Sequence, residues 1–260
     1  MTPLPPGVAD VVLAVAGLCI GSFLNVCIHR LPLKLSVVRP GSRCPDCGYA
    51  LRWYDNIPVF SYASLRGRCR SCAKPISIQY PIVEIVTAAV FVLHWYAFGP
   101  TVLLPVRLVF ACALIVLFMI DLEHQILPDV ITLPGIALGV ALSVALPPGP
   151  LMSVLGVVLG GGLLWAIAEA WLRLRKVDAM GFGDVKMLAM VGAWLGVKMV
   201  LVTFVLSSML GGLVGAILIG SRRADMATRV PFGTMLAVAA LVASVYGEPL
   251  LAWYLAKMAG

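Results

Sequence analysis

The sequence of 260 residues is 61% hydrophobic and only 12% charged, with a mean hydropathy of +1.01. These values lie far outside the range of soluble globular domains, so they exclude that class and indicate a polytopic membrane protein. The formal net charge of +7 is attributed to membrane topology and to anionic lipid. The lipid bilayer is therefore an expected partner, and nucleic acid is not.

Eight apolar segments, most of them near the ~20 residues that cross a bilayer core, predict an all-α fold with about eight transmembrane helices. They cover about residues 8–28, 80–98, 101–120, 130–146, 151–172, 185–197, 199–219 and 232–256. The first is expected to be a retained helix, since nothing basic precedes it as in a cleaved signal. The predicted organisation is a first transmembrane helix at 1–28, a loop at 29–79 and a seven-helix membrane domain at 80–260.

The distribution of basic residues predicts the orientation, because lysine and arginine in short loops stay on the cytoplasmic side. Nine of the nineteen such residues lie between the first two predicted spans, three follow span five, and three separate spans seven and eight. The other loops carry almost no positive charge. We therefore expect both termini to face outward and the 29–79 loop to face the cytoplasm.

The 29–79 loop contains two CxxC pairs, CPDC and CRSC. Together they supply the four thiolates of Cys44, Cys47, Cys69 and Cys72, which suit a tetrahedral zinc ion. Two disulfides are the competing interpretation, although a cytoplasmic loop is a reducing environment. A four-sulfur site has no open coordination position, so zinc would stabilise this insert between the first two helices without catalysing a reaction.

Ionisable side chains at membrane depth are costly and often mark functional sites. Asp121 ends an apolar run and opens the block DLEHQILPD, and Asp184 lies in GFGDVK, after Gly181 and Gly183. The predicted orientation places both aspartates at cytoplasmic ends of spans. Glu84, one turn into span two, is either an interior hydrogen-bond acceptor or a site residue.

Two carboxylates at neighbouring helix ends can share one proton, since like charges at short distance cannot both ionise. One carboxylate then deprotonates a water molecule while the protonated partner polarises a carbonyl, which is the chemistry of aspartic proteases. Gly181 and Gly183 would let an extended peptide backbone approach closely. The competing interpretation is that Asp121 and Asp184 only cap helices, and Asp129 is either a competing partner or the N-cap of span four.

Several ordered blocks resemble the type IV prepilin peptidases, also called prepilin leader peptidase and N-methyltransferase enzymes, which are membrane aspartic proteases of the GxGD type. The blocks are GSFLNVCIHRLP (21–32), CPDC with WYDNIPVFSY (53–62), LRGRCRSC (65–72), YPIVE (80–84), DLEHQILPD (121–129), GFGDVK (181–186) and PFG (231–233). The resemblance implies that Asp121 and Asp184 form the catalytic pair, that Asp129 is structural, and that residues 80–260 are a peptidase domain in a bacterial inner membrane. It also implies cleavage of the short basic leader of type IV prepilins or pseudopilins, after a glycine and on the cytoplasmic side.

Many members of this family also methylate the new N-terminal amine with S-adenosylmethionine, and those members have the loop with two CxxC pairs. The resemblance therefore implies the same second activity here. Methyl transfer needs an unprotonated amine, whose reference pKa of about 7.7–8.0 makes this form accessible near neutral pH. The sequence shows no glycine-rich dinucleotide loop that would locate the cofactor. Glu84, Asn25, Asp55 and Asn56 are the polar candidates in the matching blocks.

Two other classes of protein stay open at this point. A secondary transporter would also place acids in the membrane, but it should show paired polar sites near the midplane and an internal repeat, and neither is visible. A non-catalytic membrane scaffold with a zinc-bound docking loop would explain the cysteines and leave Asp121 and Asp184 without a role. Replacement of either aspartate by asparagine separates an enzyme from a scaffold.

Pairs of glycines with three residues between them predict close contacts between helices. They occur at Gly17/Gly21, Gly135/Gly139, Gly156/Gly160, Gly192/Gly196 and Gly211/Gly215. Packing within the helix bundle is the expected role, and a homodimer face is a further hypothesis.

Overall fold

The computed structural model describes residues 7–176, 181–221 and 231–259. In these residues the chain forms eight α-helices and one short 3₁₀ helix, which confirms the predicted all-α class. The helices are α1 (Val8–Arg30), α2 (Phe60–Ser64), α3 (Gln79–Phe98), α4 (Leu103–His124), α5 (Asp129–Leu142), α6 (Pro150–Arg175), α7 (Phe182–Gly220) and α8 (Phe232–Ala259), and the 3₁₀ helix is Trp53–Asn56. The predicted basic loop between the last two spans lies, for residues 222–230, outside the described residues.

Six helices of the described chain, α1, α3, α4, α6, α7 and α8, are long and apolar enough to cross a membrane. Helix α5 is shorter, with 14 residues. Predicted spans six and seven both fall within α7, which has 39 residues. A straight helix of that length would measure ~58 Å, about twice the thickness of a bilayer core. Gly196, with φ 79° and ψ 178°, interrupts it, so α7 consists of two helices in series.

The chain forms two compact units, and the boundary between them falls within α4. The first unit is Met1–Val116 and the second unit is Leu117–Gly260. In the first unit, α1 packs against α3. Gly17 and Gly21 permit this contact, because a Cβ on Gly17 would lie 2.5 Å from the Cα of Ala88, and a Cβ on Gly21 would lie 2.7 Å from the Cα of Glu84. The predicted domain boundaries at residues 28 and 79 were placed at the ends of apolar segments, whereas the two units are defined by their compactness. The predicted boundaries therefore stay a prediction.

Helix α7 contacts α5, α6 and α8, and its first half is the core of the second unit. Met187, Leu188, Met190 and Val191 are completely inaccessible to solvent. An apolar helix that is buried on all sides needs no polar stripe, which explains the unbroken apolar run after Lys186. The helix begins with exposed Phe182 and half-buried Gly183, and Asp184 is its first buried residue.

Most of the predicted glycine pairs do pack closely within the described chain. A Cβ on Gly156 would lie 2.4 Å from the carbonyl oxygen of Gly192, and a Cβ on Gly160 would lie 2.4 Å from that of Leu188. Helices α6 and α7 therefore approach backbone to backbone. Gly211 and Gly215 make no such close contact, since the nearest heavy atom to a Cβ at Gly211 lies at 3.9 Å and none lies within 4 Å at Gly215. The homodimer face stays a prediction.

Candidate functional site

Asp121 lies in the last turn of α4 and is only 5% exposed. Its Oδ2 accepts a hydrogen bond of 2.7 Å from the backbone N–H of Thr234. Thr234 is in the first turn of α8, where N–H groups have no partner within the helix. A Cβ on Gly233 would lie 2.9 Å from the Cγ of Asp121. The start of α8 can therefore reach the carboxylate only because position 233 is a glycine.

Asp184 is in the first turn of α7 and is 9% exposed. Its backbone N–H donates to the carbonyl oxygen of Gly181 at 3.1 Å. The N-terminus of a helix favours a negative side chain at this place. A Cβ on Gly181 would lie 3.7 Å from Oδ2 of Asp184, which is an ordinary van der Waals distance. Packing alone thus leaves room for a side chain at Gly181.

Leu127 brings three of the sequence blocks together. A Cβ on Gly183 would lie 2.9 Å from the Cβ of Leu127, and a Cβ on Gly233 would lie 2.9 Å from its Cδ1. Leu127 therefore packs between the starts of α7 and α8, next to the end of α4. The sequence indicated Asp121, Asp184 and Gly183, but it missed Leu127, Gly233 and Thr234. The only signal was the resemblance of the blocks DLEHQILPD, which contains Leu127, and PFG, which contains Gly233 and directly precedes Thr234.

The carboxylates of Asp121 and Asp184 are close enough to interact electrostatically. Neither forms an ion pair with a lysine, arginine or histidine of the described chain. Two buried acids that repel each other electrostatically and have no cationic partner in the described chain can share one proton. The arrangement can therefore supply a proton acceptor and a proton donor at the same place.

Asp129 does not take part in this pair. It is the first residue of α5, and the N-cap is Pro128, which has an extended backbone, so the expected N-cap role of Asp129 is wrong by one position. The Asp129 carboxylate forms an ion pair with Lys186 of α7. The side chain of Asp129 is 58% exposed. Because it is exposed and paired with Lys186, Asp129 does not compete with Asp121 or Asp184 as a member of the catalytic pair.

The cysteines predicted to bind zinc form one cluster in the first unit. The Sγ atoms of Cys44, Cys47, Cys69 and Cys72 all lie within 4.8 Å of one another. The distances across the cluster are 3.9 Å from Cys44 to Cys72 and 4.0 Å from Cys47 to Cys69. All cysteines of the described chain are free, so the disulfide interpretation has no support here. Four thiolates at this spacing fit a tetrahedral zinc site.

The chemistry of the sulfur atoms also fits a metal. Backbone N–H groups of Cys72 and Ser71 lower the pKa of Cys69 to about 7. The Lys74 backbone N–H favours the thiolate of Cys72, but burial and the neighbouring thiols outweigh it and raise the pKa of Cys72 to about 11. One thiolate therefore forms readily near neutral pH, whereas the complete set needs a cation to hold it.

Ion pairs connect the two CxxC turns to the rest of the loop. Lys74 Nζ lies 2.7 Å from Asp46 Oδ1, and Arg70 Nε lies 2.7 Å from Asp55 Oδ1. Burial raises the pKa of Asp55, but hydrogen bonds from Arg70 and from the backbone N–H of Arg52 outweigh it and hold this pKa below its ordinary value. Asp55 is therefore engaged in the fold of the loop.

Glu84 lies in α3, in the first unit, whereas Asp121 and Asp184 belong to the second unit. It is 7% exposed, and its Oε2 accepts a hydrogen bond of 2.7 Å from the backbone N–H of Val59. The four polar candidates for the cofactor site line one cleft of about 480 Å³ in the first unit. They are Asn25, Asp55, Asn56 and Glu84.

Comparisons with known proteins cover most of the chain. Residues 15–98 match the Bacterial Peptidase A24 N-terminal domain, and residues 108–216 match the Type IV leader peptidase family. The Prepilin leader peptidase/N-methyltransferase of Pseudomonas putida is 37% identical, over 92% of this chain and 91% of its own length. The protein of the same name from Pseudomonas aeruginosa is 35% identical, over 92% of this chain and 91% of its own length. That from Xanthomonas campestris pv. campestris is 37% identical, over 96% of this chain and 96% of its own length. No solved structure matches the chain.

Proposed function

The chain belongs to the type IV leader peptidase family, and we propose that it cleaves the short basic leader from type IV prepilins or pseudopilins and methylates the new N-terminal amine. Relatives named for both activities align with more than nine-tenths of the chain. The apolar helices and the family indicate a multi-pass protein of the bacterial inner membrane. These relationships do not favour a transporter or a non-catalytic scaffold.

The observation that most directly supports cleavage is the pair of buried carboxylates at the ends of α4 and α7. We assign Asp121 and Asp184 as the catalytic residues because they interact with each other and with no cation of the described chain. Thr234 is a positioning residue, since its N–H fixes one oxygen of Asp121 at 2.7 Å. A carboxylate that is held by the backbone keeps its geometry during proton transfer.

The pair performs hydrolysis with one shared proton. The ionised aspartate takes a proton from water, the water oxygen bonds to the scissile carbonyl carbon, and the protonated aspartate gives its proton to the carbonyl oxygen. In the second step, the aspartate that received the water proton donates it to the amide nitrogen. The carbon–nitrogen bond then breaks while the other aspartate recovers a proton from the diol. The two residues thereby return to their starting state.

The glycines of the GFGD block have separate roles in this proposal. Gly183 packs against Leu127 and holds the start of α7 in place. Gly181 has ordinary space beside the Asp184 carboxylate, so we assign to it the close approach of the substrate backbone. The basic leader lies at the cytoplasmic face and the apolar pilin helix in the bilayer, which agrees with the orientation expected from the basic loops.

The second activity requires a cofactor, and the loop requires a metal. We propose that Cys44, Cys47, Cys69 and Cys72 hold a structural zinc ion, since a site with four thiolates leaves no open position for substrate. S-adenosylmethionine, when bound, would supply the methyl group to the unprotonated amine, and S-adenosylhomocysteine and a proton would be released.

Mass spectrometry of a pilin-like precursor tests both activities. The precursor is incubated in detergent with the purified protein, with and without S-adenosylmethionine. We expect loss of the leader in both samples and an added methyl group only in the sample with the cofactor. A precursor that stays uncut beside a folded protein would overturn the peptidase assignment, and a cut but unmethylated product would overturn the second activity alone.

A further inference from the structure

The cleft of about 480 Å³ in the first unit has the size and lining of a small-molecule site, since such sites measure roughly 300–1,000 Å³. Residues of α1, the cysteine loop and α3 line it. Three tyrosines, Tyr49, Tyr62 and Tyr80, provide aromatic surface. Amide side chains of Asn25 and Asn56 provide hydrogen-bonding groups. A ligand with both a flat ring and several polar groups is suited to this lining.

The cleft has one acid that lacks a cationic partner. Three acidic residues line it, namely Asp46, Asp55 and Glu84. Lys74 pairs with Asp46, and Arg70 pairs with Asp55. Glu84 forms no ion pair with a basic residue of the described chain. Burial of a carboxylate without a cation is unfavourable, so the position beside Glu84 favours a positively charged group of the ligand.

The residue that donates a hydrogen bond to Glu84, Val59, has a strained backbone conformation. Val59 has φ 59° and ψ −47°, a conformation that is a genuine outlier for a β-branched residue. Its N–H donates to Glu84 Oε2 at 2.7 Å. Strain of this kind persists at sites where the surrounding structure holds a functional group in place. The carboxylate is thus oriented before any ligand binds.

We propose that this cleft binds S-adenosylmethionine and that the Glu84 carboxylate faces its sulfonium. The inference rests on the methyl transfer in the proposed function and adds the location of the cofactor and the group that recognises its charge. The ligand combines an adenine ring, a polar ribose and a positively charged sulfur. The tyrosines and asparagines match the first two, and Glu84 matches the third, because it accepts hydrogen bonds from the Val59 N–H and from Ser22 but has no cationic partner in the described chain. Arg30 and Arg43 also line the cleft and suit the single carboxylate of the ligand.

Calorimetric titration of the full-length, zinc-loaded protein in detergent tests the site without a pilin substrate. S-adenosylmethionine and S-adenosylhomocysteine, which lacks the sulfonium charge, are titrated separately. We expect the charged cofactor to bind the wild type more tightly, and Glu84→Gln to weaken it by about tenfold with little change for S-adenosylhomocysteine. Glu169→Gln is the matched control, because Glu169 pairs with Arg173 on α6 in the second unit. This control should leave both affinities unchanged.

If Glu84 has a purely structural role, Glu84→Gln should lower the affinity for both ligands equally. That result would overturn the assignment of the sulfonium contact. If Glu84→Gln does not fold, Asn56→Ala provides a second variant, since Asn56 is an exposed residue of the same cleft. It should weaken both ligands together, and unchanged binding would contradict the proposed site. Ultraviolet crosslinking of radiolabelled cofactor should label peptides from residues 22–84, and label confined to the second unit would overturn the location.

Leader cleavage by the same preparations separates this inference from the proposed function. Wild-type protein that cuts the precursor but does not bind S-adenosylmethionine would refute the cleft and leave the peptidase intact. Protein that binds the cofactor in the cleft but never cuts the precursor would refute the peptidase and leave the cofactor site standing.

Discussion

The contact between Gly233 and Asp121 makes the strictest demand on a single residue at the candidate active site. The start of α8 lies so close to the carboxylate that a Cβ would meet both Cγ and Oδ2 at 2.9 Å. The neighbouring Thr234 N–H donates to the same Oδ2. The glycine and the hydrogen bond therefore depend on each other, because a side chain at position 233 would push the N–H donor away.

Gly233→Ala should reduce the rate of leader cleavage by about 100-fold, since displacement of a catalytic group by ~1 Å has an effect of that order. Initial rates with a pilin-like precursor would measure this. Gly162→Ala is a matched control on α6, because no heavy atom lies within 4 Å of a Cβ at that position. Equal rates for the two variants would show that the start of α8 does not position Asp121.

At the scale of elements, the two halves of α7 lie in different environments. Its first half is buried on all sides and presents Asp184 at its N-terminus, whereas its second half has exposed apolar side chains such as Leu201, Val205 and Met209. The change comes at Gly196, where φ is 79°. A residue with a Cβ would be strained at this φ, so the break depends on glycine.

The cysteine loop is the second element whose behaviour follows from its contacts. Cys44→Ser removes one thiolate from the four-sulfur cluster, and we expect the bound zinc to fall from about one ion per chain to nearly none. Elemental analysis of the purified protein would measure the metal. Cys19→Ser, in α1, should keep the zinc of the wild type, since Cys19 lies outside the cluster. Zinc retained by Cys44→Ser would contradict the four-ligand site.

At the scale of the whole molecule, the orientation in the membrane is open to a direct test. The basic loops predict that both termini face outward. Alkaline phosphatase folds only outside the bacterial cytoplasm, so its fusion to the C-terminus should be active, whereas a fused green fluorescent protein should be dark. The opposite pair of results would reverse the predicted topology and place the aspartates on the wrong side for a cytoplasmic leader.

Much of the architecture was accessible from the sequence because hydropathy and charge act over whole segments. The apolar runs fall in helices of the described chain, with two of them in α7, and two CxxC pairs were sufficient to predict a single cluster of thiols. Asp121 and Asp184 were recognisable because acids at membrane depth are costly and rare. These signals depend on residue type and spacing, not on detailed packing.

Other features depend on which surfaces meet in space, and no local pattern records this. The wedge of Leu127 between Gly183 and Gly233 joins three segments that are distant in the sequence. The cleft around Glu84 likewise depends on the unusual backbone of Val59. The expected N-cap at Asp129 was displaced by one residue because Pro128 takes the extended position before α5. Such details depend on the tertiary structure.

The most direct test of the central claim is the rate of leader cleavage by Asp121→Asn, Asp184→Asn and Asp129→Asn, measured beside the wild type on one precursor. Asparagine keeps the size of the side chain but cannot exchange a proton, so either of the first two substitutions should reduce cleavage by at least about 1,000-fold with the fold intact. Asp129→Asn loses only an ion pair with Lys186 and should cut normally. Normal cleavage by Asp121→Asn or Asp184→Asn would refute the catalytic pair.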